Sequence, residues 1–307
     1  MRRKWKIRHG VSEYFSLFAA TALFAAAVIS PAFCVSALSD ALSLCAKTLV
    51  PSLFPYITAT NLISSCGVLP RISETAAGRY LRRLSGLSGA GVTAVIVGLI
   101  SGFPSGAVFL GRMKRSGEIG SDEAARLMPF VNNASPAFVL GAVGSLFGSP
   151  ALGATLFAAQ CVASLSGIAV GRRSARSEKG VSAGYPYEPF ISAFPRAVGD
   201  SALAMLSVCG FVAVFSIPCR ALSALGRAGA FLSAFLEIGN GCAGAAASGI
   251  PSAAAFAVGF SGLSVMFQAA DHAVRERISM KYWLPGKLYS GIICVAAVNI
   301  ASFFGFI

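Results

Sequence analysis

The 307-residue chain is 55% hydrophobic and only 12% charged, whereas a soluble domain is typically about 25% charged. Its uncharged runs cover 14–39, 48–70, 84–111, 127–171, 201–219, 238–270 and 288–307. Because a transmembrane helix needs about 20 apolar residues, this pattern excludes a soluble domain. It predicts an all-α, polytopic membrane protein whose main partner is the lipid bilayer.

The formal net charge of +13 does not indicate a nucleic-acid-binding protein, because the basic residues lie in short loops. They cluster at 2–8, 71–83 and 172–179, between the apolar runs. Loops rich in lysine and arginine face the cytoplasm, next to anionic lipid. We therefore expect a multi-pass protein of the cell membrane with a cytoplasmic N-terminus.

The chain divides into four regions in order. Residues 1–37 form a basic segment and an anchor helix, which we interpret as uncleaved; a cleaved signal peptide is the alternative. Residues 38–171 form a first membrane half, residues 172–195 a connector marked by glycine and proline, and residues 196–307 a second membrane half. At the start of this half, Arg196 and Asp200 are four residues apart, so we expect them to pair on one helix face.

Two segments are expected to fold back on themselves inside the membrane. The 28-residue run 84–111 has a Gly/Pro/Ser break in its middle, and placing all basic loops on one side makes it a re-entrant hairpin that turns near Pro104. A single tilted span is the alternative. The segment 228–249 is short for two spans, so a second hairpin is expected there, with a break near 237–241.

The two halves resemble each other weakly. The segment 97–103 is similar to 258–263, and each match is followed by a charged loop and an apolar span. Two related halves that enter the membrane from opposite faces form the inverted repeat common in transporters. We therefore predict two inverted halves with broken or re-entrant helices near 101–106 and 237–241.

The first cluster of polar breaks lies in the first half. Proline removes a backbone donor and glycine permits a tight turn, so the helix should break there. The freed amides and the asparagine side chains can bind a polar solute, while the alternative is a kink with helix–helix hydrogen bonds. The candidate substrate-binding residues are Ser101, Gly102, Phe103, Pro104, Ser105, Gly106, Asn132, Asn133, Ser135 and Pro136.

The second cluster centres on Glu237, the only acidic residue between Asp200 and Asp271. A carboxylate inside a membrane is costly and is by default a functional candidate. It can bind a cationic solute, couple protons or cap a half-helix; the alternative is that Glu237 lies at the membrane interface. The serines of this cluster have the alternative role of packing residues between helices. The candidate residues here are Glu237, Ser261, Gly262, Ser264 and Gln268.

Enzymatic chemistry is not indicated by the sequence. It has no Walker loop, no HExxH motif and no nucleophile with a histidine in motif spacing. The eight cysteines form no CxxC pair, and we interpret them as buried small hydrophobic residues. We therefore expect no enzyme, no cofactor and no metal site.

Six motifs occur in order along the chain, at 51–55, 98–107, 123–127, 132–138, 235–238 and 262–265 with Gln268. Together they resemble the sporulation integral membrane proteins of the YlbJ type, in the nucleoside-recognition (Gate) superfamily. That resemblance implies an integral membrane protein of endospore-forming bacteria, associated with spore cortex formation. The wider superfamily includes the gate regions of concentrative nucleoside transporters and of ferrous-iron permeases.

Two functions from different classes remain at this point. The first is a transporter that moves a small polar solute by alternating access, with the two break clusters lining opposite sides of its path. The alternative is a non-transporting membrane scaffold that recruits sporulation partners or forms a homo-oligomer. The first requires the two clusters to converge in the fold.

Overall fold

The computed structural model describes residues 11–67, 69–171 and 188–307, and every regular element in these ranges is helical. The polytopic all-α prediction is therefore confirmed. Among the described residues, five helical segments are long and apolar enough to cross a membrane. A sixth is formed if α5 and α6, which are bent by 107° relative to each other, are counted as one span.

The first half begins with a helix that is longer than the sequence predicted. α1 (Val11–Ile29) ends at Ser30, and α2 (Pro31–Leu44) continues through a π-helical turn (Cys45–Leu49) into α3 (Val50–Ser65). The result is one 35-residue segment, so the boundary suggested at residues 37 and 38 falls inside a helix. The π turn lies directly before Pro51 and Pro55, which lack backbone donors, and local rearrangement of the ladder accommodates them.

The remaining elements of the first half are short and sharply connected. Thr75, Ser88 and Ser149 cap three helices by accepting backbone N–H bonds at 2.9–3.1 Å. The helices are α4 (Leu69–Ile72), α5 (Ala76–Ser85), α6 (Gly89–Ser101), α7 (Ser105–Arg115), α8 (Ser121–Val131), a π-helical segment (Ala137–Val143), α9 (Gly144–Leu146) and α10 (Pro150–Val170).

The second half starts with the longest helix, α11 (Phe190–Ser223), which has 34 residues and is about 51 Å long at 1.5 Å per residue. Most of the expected connector, residues 172–187, lies outside the described residues. The other helices are α12 (Arg227–Leu236), α13 (Ile238–Ala247), α14 (Pro251–Phe260), α15 (Gly262–Arg275) and α16 (Trp283–Phe303).

Both expected hairpins are present as pairs of packed helices. α6 and α7 turn back at residues 102–104, and a Cβ built on Gly106 would lie 3.5 Å from the Cα atom of Gly98. α12 and α13 turn back at Glu237, and a Cβ built on Gly241 would lie 2.5 Å from the Cα atom of Ala234. Small residues therefore allow each hairpin to close tightly.

Each half also contains a helix that is interrupted without folding back. The first is α8, which is followed by the break 132–136 and the π-helical segment. The second is α14, which continues through Ser261 into α15. The order in both halves is thus a hairpin, an interrupted helix and a single long helix (α10 or α16). The inverted relation of the halves stays a prediction.

The halves are joined through α16, which packs against α10 and α8 as well as against α14 of its own half, and through α11, which packs against α2 and α3. Gly259 and Gly291 lie at the contact of α14 and α16, where a Cβ on Gly259 would come within 2.5 Å of the Ser290 carbonyl oxygen. Large apolar side chains such as Leu206, Ile292 and Ile300 remain exposed on the outer faces of α11 and α16. In a polytopic protein such faces contact lipid.

Candidate functional site

The first site element is the contact between the hairpin α6/α7 and the break after α8. The backbone N–H of Phe103 donates to the carbonyl of Asn133 at 2.8 Å. Gly102 has a φ of +70°, and a Cβ there would lie 2.6 Å from the backbone nitrogen of Ser135. Only glycine meets both requirements, so Gly102 allows the turn of the hairpin α6/α7 to lie in direct contact with the break after α8.

Asn132 and Asn133 are buried and bonded within the protein. The side-chain oxygen of Asn132 accepts from the backbone N–H of Ala107 at 3.1 Å. Asn133 accepts from the hydroxyl of Ser164 at 3.2 Å and donates to the carbonyl of Phe130 at 2.6 Å. These amides therefore support the break, and this geometry matches the helix–helix hydrogen-bonding alternative.

The serines of the first cluster also bond locally. The hydroxyl of Ser101 donates to the carbonyl of Val97 at 2.7 Å. The Ser135 hydroxyl accepts from the N–H of Phe138 at 3.2 Å and so caps the helical segment that starts after Pro136. Gly106 is a packing residue, since a Cβ there would come within 1.9 Å of the Val131 carbonyl oxygen.

Gln160 in α10 is a supporting residue that the sequence analysis missed. Its Nε2 donates to the carbonyl of Ala134, and its Oε1 accepts from the Ala134 N–H, both at 2.9 Å. The side chain thereby replaces the backbone partners that the break removes. A carboxamide in the middle of the apolar run 127–171 was the available signal.

Glu237 forms the corresponding break in the second half. Its backbone is extended (φ −150°, ψ 130°) between α12 and α13. Its Oε2 accepts from the backbone N–H and the side-chain Nδ2 of Asn240, at 2.6 and 3.0 Å. The carboxylate therefore caps α13 and is favoured by the helix dipole, which contributes typically about 0.3–1 kcal/mol.

That capping does not neutralise Glu237. The residue is 2% exposed. Among the described residues, no lysine, arginine or histidine forms an ion pair with it. An acidic side chain at membrane depth costs about 2.5–3.5 kcal/mol on insertion scales, which exceeds the contribution of a cap. Glu237 is thus the most costly candidate residue.

The break between α14 and α15 presses against Glu237. Ser261 and Gly262 both have positive φ angles, of 70° and 78°. A Cβ on Gly262 would lie 3.0 Å from the Cα atom of Glu237. The hairpin break and the interrupted helix therefore meet in the second half as they do at Gly102 in the first.

Ser264 and Gln268 follow on α15, one helical turn apart. Both are buried, and neither the hydroxyl oxygen of Ser264 nor the Oε1 atom of Gln268 has a hydrogen-bond partner. Buried polar groups in native structures are bonded in the large majority of cases. These two oxygens are therefore available to a ligand.

Lys287 in α16 is the second residue that the sequence analysis missed. It is fully buried, and its ammonium group donates to the carbonyl of Asn132 and, at 3.0 Å, to the hydroxyl of Ser261. The ammonium also lies 5.5 Å from the centre of the Trp283 ring. One side chain thus bonds both interrupted helices. Lys287 lies near the start of the last span, where a lysine ordinarily extends its ammonium group to the membrane surface. Its sequence position therefore does not distinguish it from an ordinary surface lysine.

The two break clusters converge on one small cavity. Phe103 from the first cluster and Glu237 and Gln268 from the second line it, together with Phe138. Its volume of ≈ 10 Å³ is about that of a single water molecule. The convergence required by the transporter hypothesis is present, but the space between the clusters is small.

A larger space, the Arg112 vestibule, lies along residues 200–211 of α11 and shares the lining residue Gln268 with the small cavity. It has a volume of ≈ 660 Å³ and lies among α3, α7, α11 and α15. Arg112 and Asp200 pair there at 3.6 Å, so the expected pairing of Arg196 with Asp200 is wrong; Arg196 pairs with Glu188 instead. Its lining includes Pro104, Ser105, Ser207, His272 and, at the inner end, Gln268.

A second space, the Arg220 vestibule, lies along residues 216–223 of α11. It has a volume of ≈ 430 Å³ among α2, α11, α12 and α13, and Arg220 pairs with Asp40 on its wall. Its lining includes Asn240, the partner of Glu237. The two vestibules touch α11 up to Phe211 and from Ser216, five residues or about 7.5 Å apart along the helix.

Comparisons with known proteins give one similar protein and no fold relative. No protein-family model matches the chain, and no solved structure matches it. Over 145 residues the chain is 28% identical to the sporulation integral membrane protein YlbJ of Bacillus subtilis (strain 168). This match covers 47% of the chain and 35% of YlbJ, so it spans about a third of that relative. It supports the resemblance to the YlbJ type over that stretch.

Proposed function

We propose that this chain is a membrane transporter that moves a small polar solute by alternating access, and that it acts in sporulation. The observation that carries the proposal is the pair of vestibules along α11, at residues 200–211 and 216–223, whose linings include Gln268 and Asn240, respectively. Glu237 and Gln268 lie on the cavity between them. The similarity to YlbJ supports the sporulation setting.

The helix breaks give this arrangement a means of changing shape. The inner ends of the vestibules are separated by residues of the hairpin α12/α13 and of the interrupted helix α14–α15, which rest against each other at Glu237 and Gly262. A small movement of the hairpin against α15 would open the cavity toward one vestibule and close it toward the other. Phe103 and Phe138 would then act as an apolar barrier.

We propose that the Arg112 vestibule faces the cytoplasm. It lies beside the basic segments 112–115 and 275–281, where Lys114 donates to the carbonyl of Glu276 at 2.7 Å. Basic loops favour the cytoplasmic side. The Arg220 vestibule then opens on the opposite side, and the N-terminus is cytoplasmic.

Single-cysteine labelling tests the path. Ser207→Cys in the Arg112 vestibule and Ser248→Cys in the Arg220 vestibule are made in a chain whose eight native cysteines are replaced by alanine. We expect a membrane-impermeant maleimide to label the two variants from opposite sides of sealed vesicles. Labelling of both from the same side would contradict the two-vestibule path.

Uptake into proteoliposomes tests the activity. The probes are labelled uridine, alanine and methylammonium, and the variants are Glu237→Gln and a matched buried carboxylate outside the path, Glu118→Gln, whose partner is Ser116 at 2.6 Å. We expect at least one probe to enter faster than in protein-free liposomes, with uptake lost in Glu237→Gln and kept in Glu118→Gln. Uptake of no probe, or equal uptake in both variants, would favour the membrane scaffold.

A further inference from the structure

Two buried oxygen atoms on α15 have no partner in the protein. The hydroxyl oxygen of Ser264 and the Oε1 atom of Gln268 lie one turn apart, and both residues are at least nine-tenths buried. Neither helix packing nor capping uses these oxygens. Unpartnered buried acceptors in native structures indicate a water, an ion or a ligand group at that place.

Glu237 adds a carboxylate to the small cavity that Gln268 also lines. Its carboxylate is held by Asn240 and, among the described residues, has no cationic partner. The buried ammonium of Lys287 does not serve this role, because it bonds the carbonyl of Asn132 and the hydroxyl of Ser261. A small cation from outside the chain that reaches this carboxylate would compensate its buried charge.

The size of the cavity limits that ligand. Glu237 and Gln268 line a space of ≈ 10 Å³ whose other walls include Leu53, Phe103 and Val212. This holds about one water-sized group, so a whole solute does not fit. Hard cations prefer oxygen ligands. The carboxylate of Glu237 and the carboxamide of Gln268 line this space, and the unpartnered hydroxyl of Ser264 lies one helical turn before Gln268 on α15.

We propose that Glu237, Ser264 and Gln268 form a site for a small monovalent cation, either an alkali metal ion or the ammonium group of a solute. The sequence analysis gave a cationic solute as one interpretation of Glu237 and predicted no metal site. A role of this site in coupling or solute recognition rests on the proposed transport function. Cation binding itself is measured on the purified full chain and does not require transport.

The experiment follows thermal unfolding in detergent at fixed pH and ionic strength. Sodium chloride and methylammonium chloride are each titrated against choline chloride, because choline is too large for the cavity. We expect one of the two small cations to raise the Tm saturably in the wild type. Sodium alone would assign a metal ion, and methylammonium alone an ammonium group; both results support the site.

The variants separate binding from folding. Ser264→Ala removes an unpartnered hydroxyl, so its Tm in choline should equal or exceed that of the wild type. Its apparent affinity for the cation should fall by about tenfold or more, and Glu237→Gln should lose the response. Glu118→Gln should retain it.

Two results would overturn the proposal. One is a wild-type Tm that is the same in choline, sodium and methylammonium. The other is a cation response that is unchanged in Glu237→Gln and Ser264→Ala. If labelling still occurs from opposite sides while no cation binds, the transport proposal stands and this site does not. If a cation binds while both cysteines are labelled from the same side, this site stands and the transport proposal does not.

Discussion

Lys287 donates a hydrogen bond to the hydroxyl of Ser261 at 3.0 Å, and the same ammonium group bonds the carbonyl of Asn132. Asn132 belongs to the interrupted helix of the first half and Ser261 to that of the second. A single buried side chain from α16 thus fixes the relative position of the two breaks. All three residues are fully buried.

Lys287→Met should lower the free energy of unfolding by about 1–3 kcal/mol, because it leaves two buried acceptors without their donor. Thermal or denaturant unfolding in detergent measures this. The control is Lys281→Met, whose side chain is 55% exposed and should change stability by no more than about 0.5 kcal/mol. A Lys287→Met protein as stable as the wild type would mean that the free-energy cost of desolvating the ammonium group cancels the stabilisation from its hydrogen bonds.

Gly106→Ala should destabilise the protein by about 1–3 kcal/mol through overpacking. A Cβ at this position would lie 1.9 Å from the carbonyl oxygen of Val131, so the hairpin α6/α7 would have to move away from α8. Gly210→Ala is the matched control, since it is also a helical glycine but has no atom within 4 Å of an added Cβ. It should gain about 0.5–1 kcal/mol from helix propensity. Equal effects of the two substitutions would contradict the close packing at Gly106.

Gln160→Leu should cost about 2–4 kcal/mol, because the N–H and the carbonyl of Ala134 both lose a buried partner. The same substitution at Gln268 tests the difference between a bonded and an unpartnered carboxamide. In choline buffer Gln268→Leu should cause no loss of stability. If Gln268→Leu is the more damaging of the two, Gln268 has a structural bond that its geometry does not reveal.

The ion pair between Arg112 and Asp200 should contribute little. Its atoms are 3.6 Å apart and its side chains are 46% and 43% exposed, so water and salt screen the attraction. A double-mutant cycle with Arg112→Gln and Asp200→Asn should give a coupling energy below about 1 kcal/mol. The coupling should fall further in high salt, and a coupling that is larger and independent of salt would indicate a buried pair.

The sequence predicted the helical architecture and the positions of the breaks. Uncharged runs of membrane length identified the spans, since lipid accepts only helices whose backbone groups are bonded internally. Pro104 and its neighbouring glycines marked the first hairpin, and Glu237 among alanines and glycines marked the second. These are local properties, because a helix ends where its backbone ladder loses a donor or gains a tight turn.

Sequence alone did not distinguish supporting residues from available ones. Asn132 and Asn133 have the same residue types that bind solutes, yet their partners lie on other helices and occupy their polar groups. Asp200 pairs with Arg112 and not with Arg196, because tertiary packing brings α7 and α11 together. The choice of partner depends on distances between helices, and spacing along the chain does not encode it.

The amino-acid sequence by itself determined that this is a polytopic helical membrane protein with two broken zones, because hydrophobic length and proline and glycine punctuation act within one helix. Only the tertiary structure decided that the zones meet at Glu237 and Gln268, that Lys287 joins them, and that one vestibule includes Gln268 and the other Asn240. These features arise from packing between helices that are distant in the chain, where each buried polar atom must find a partner or remain open to a ligand.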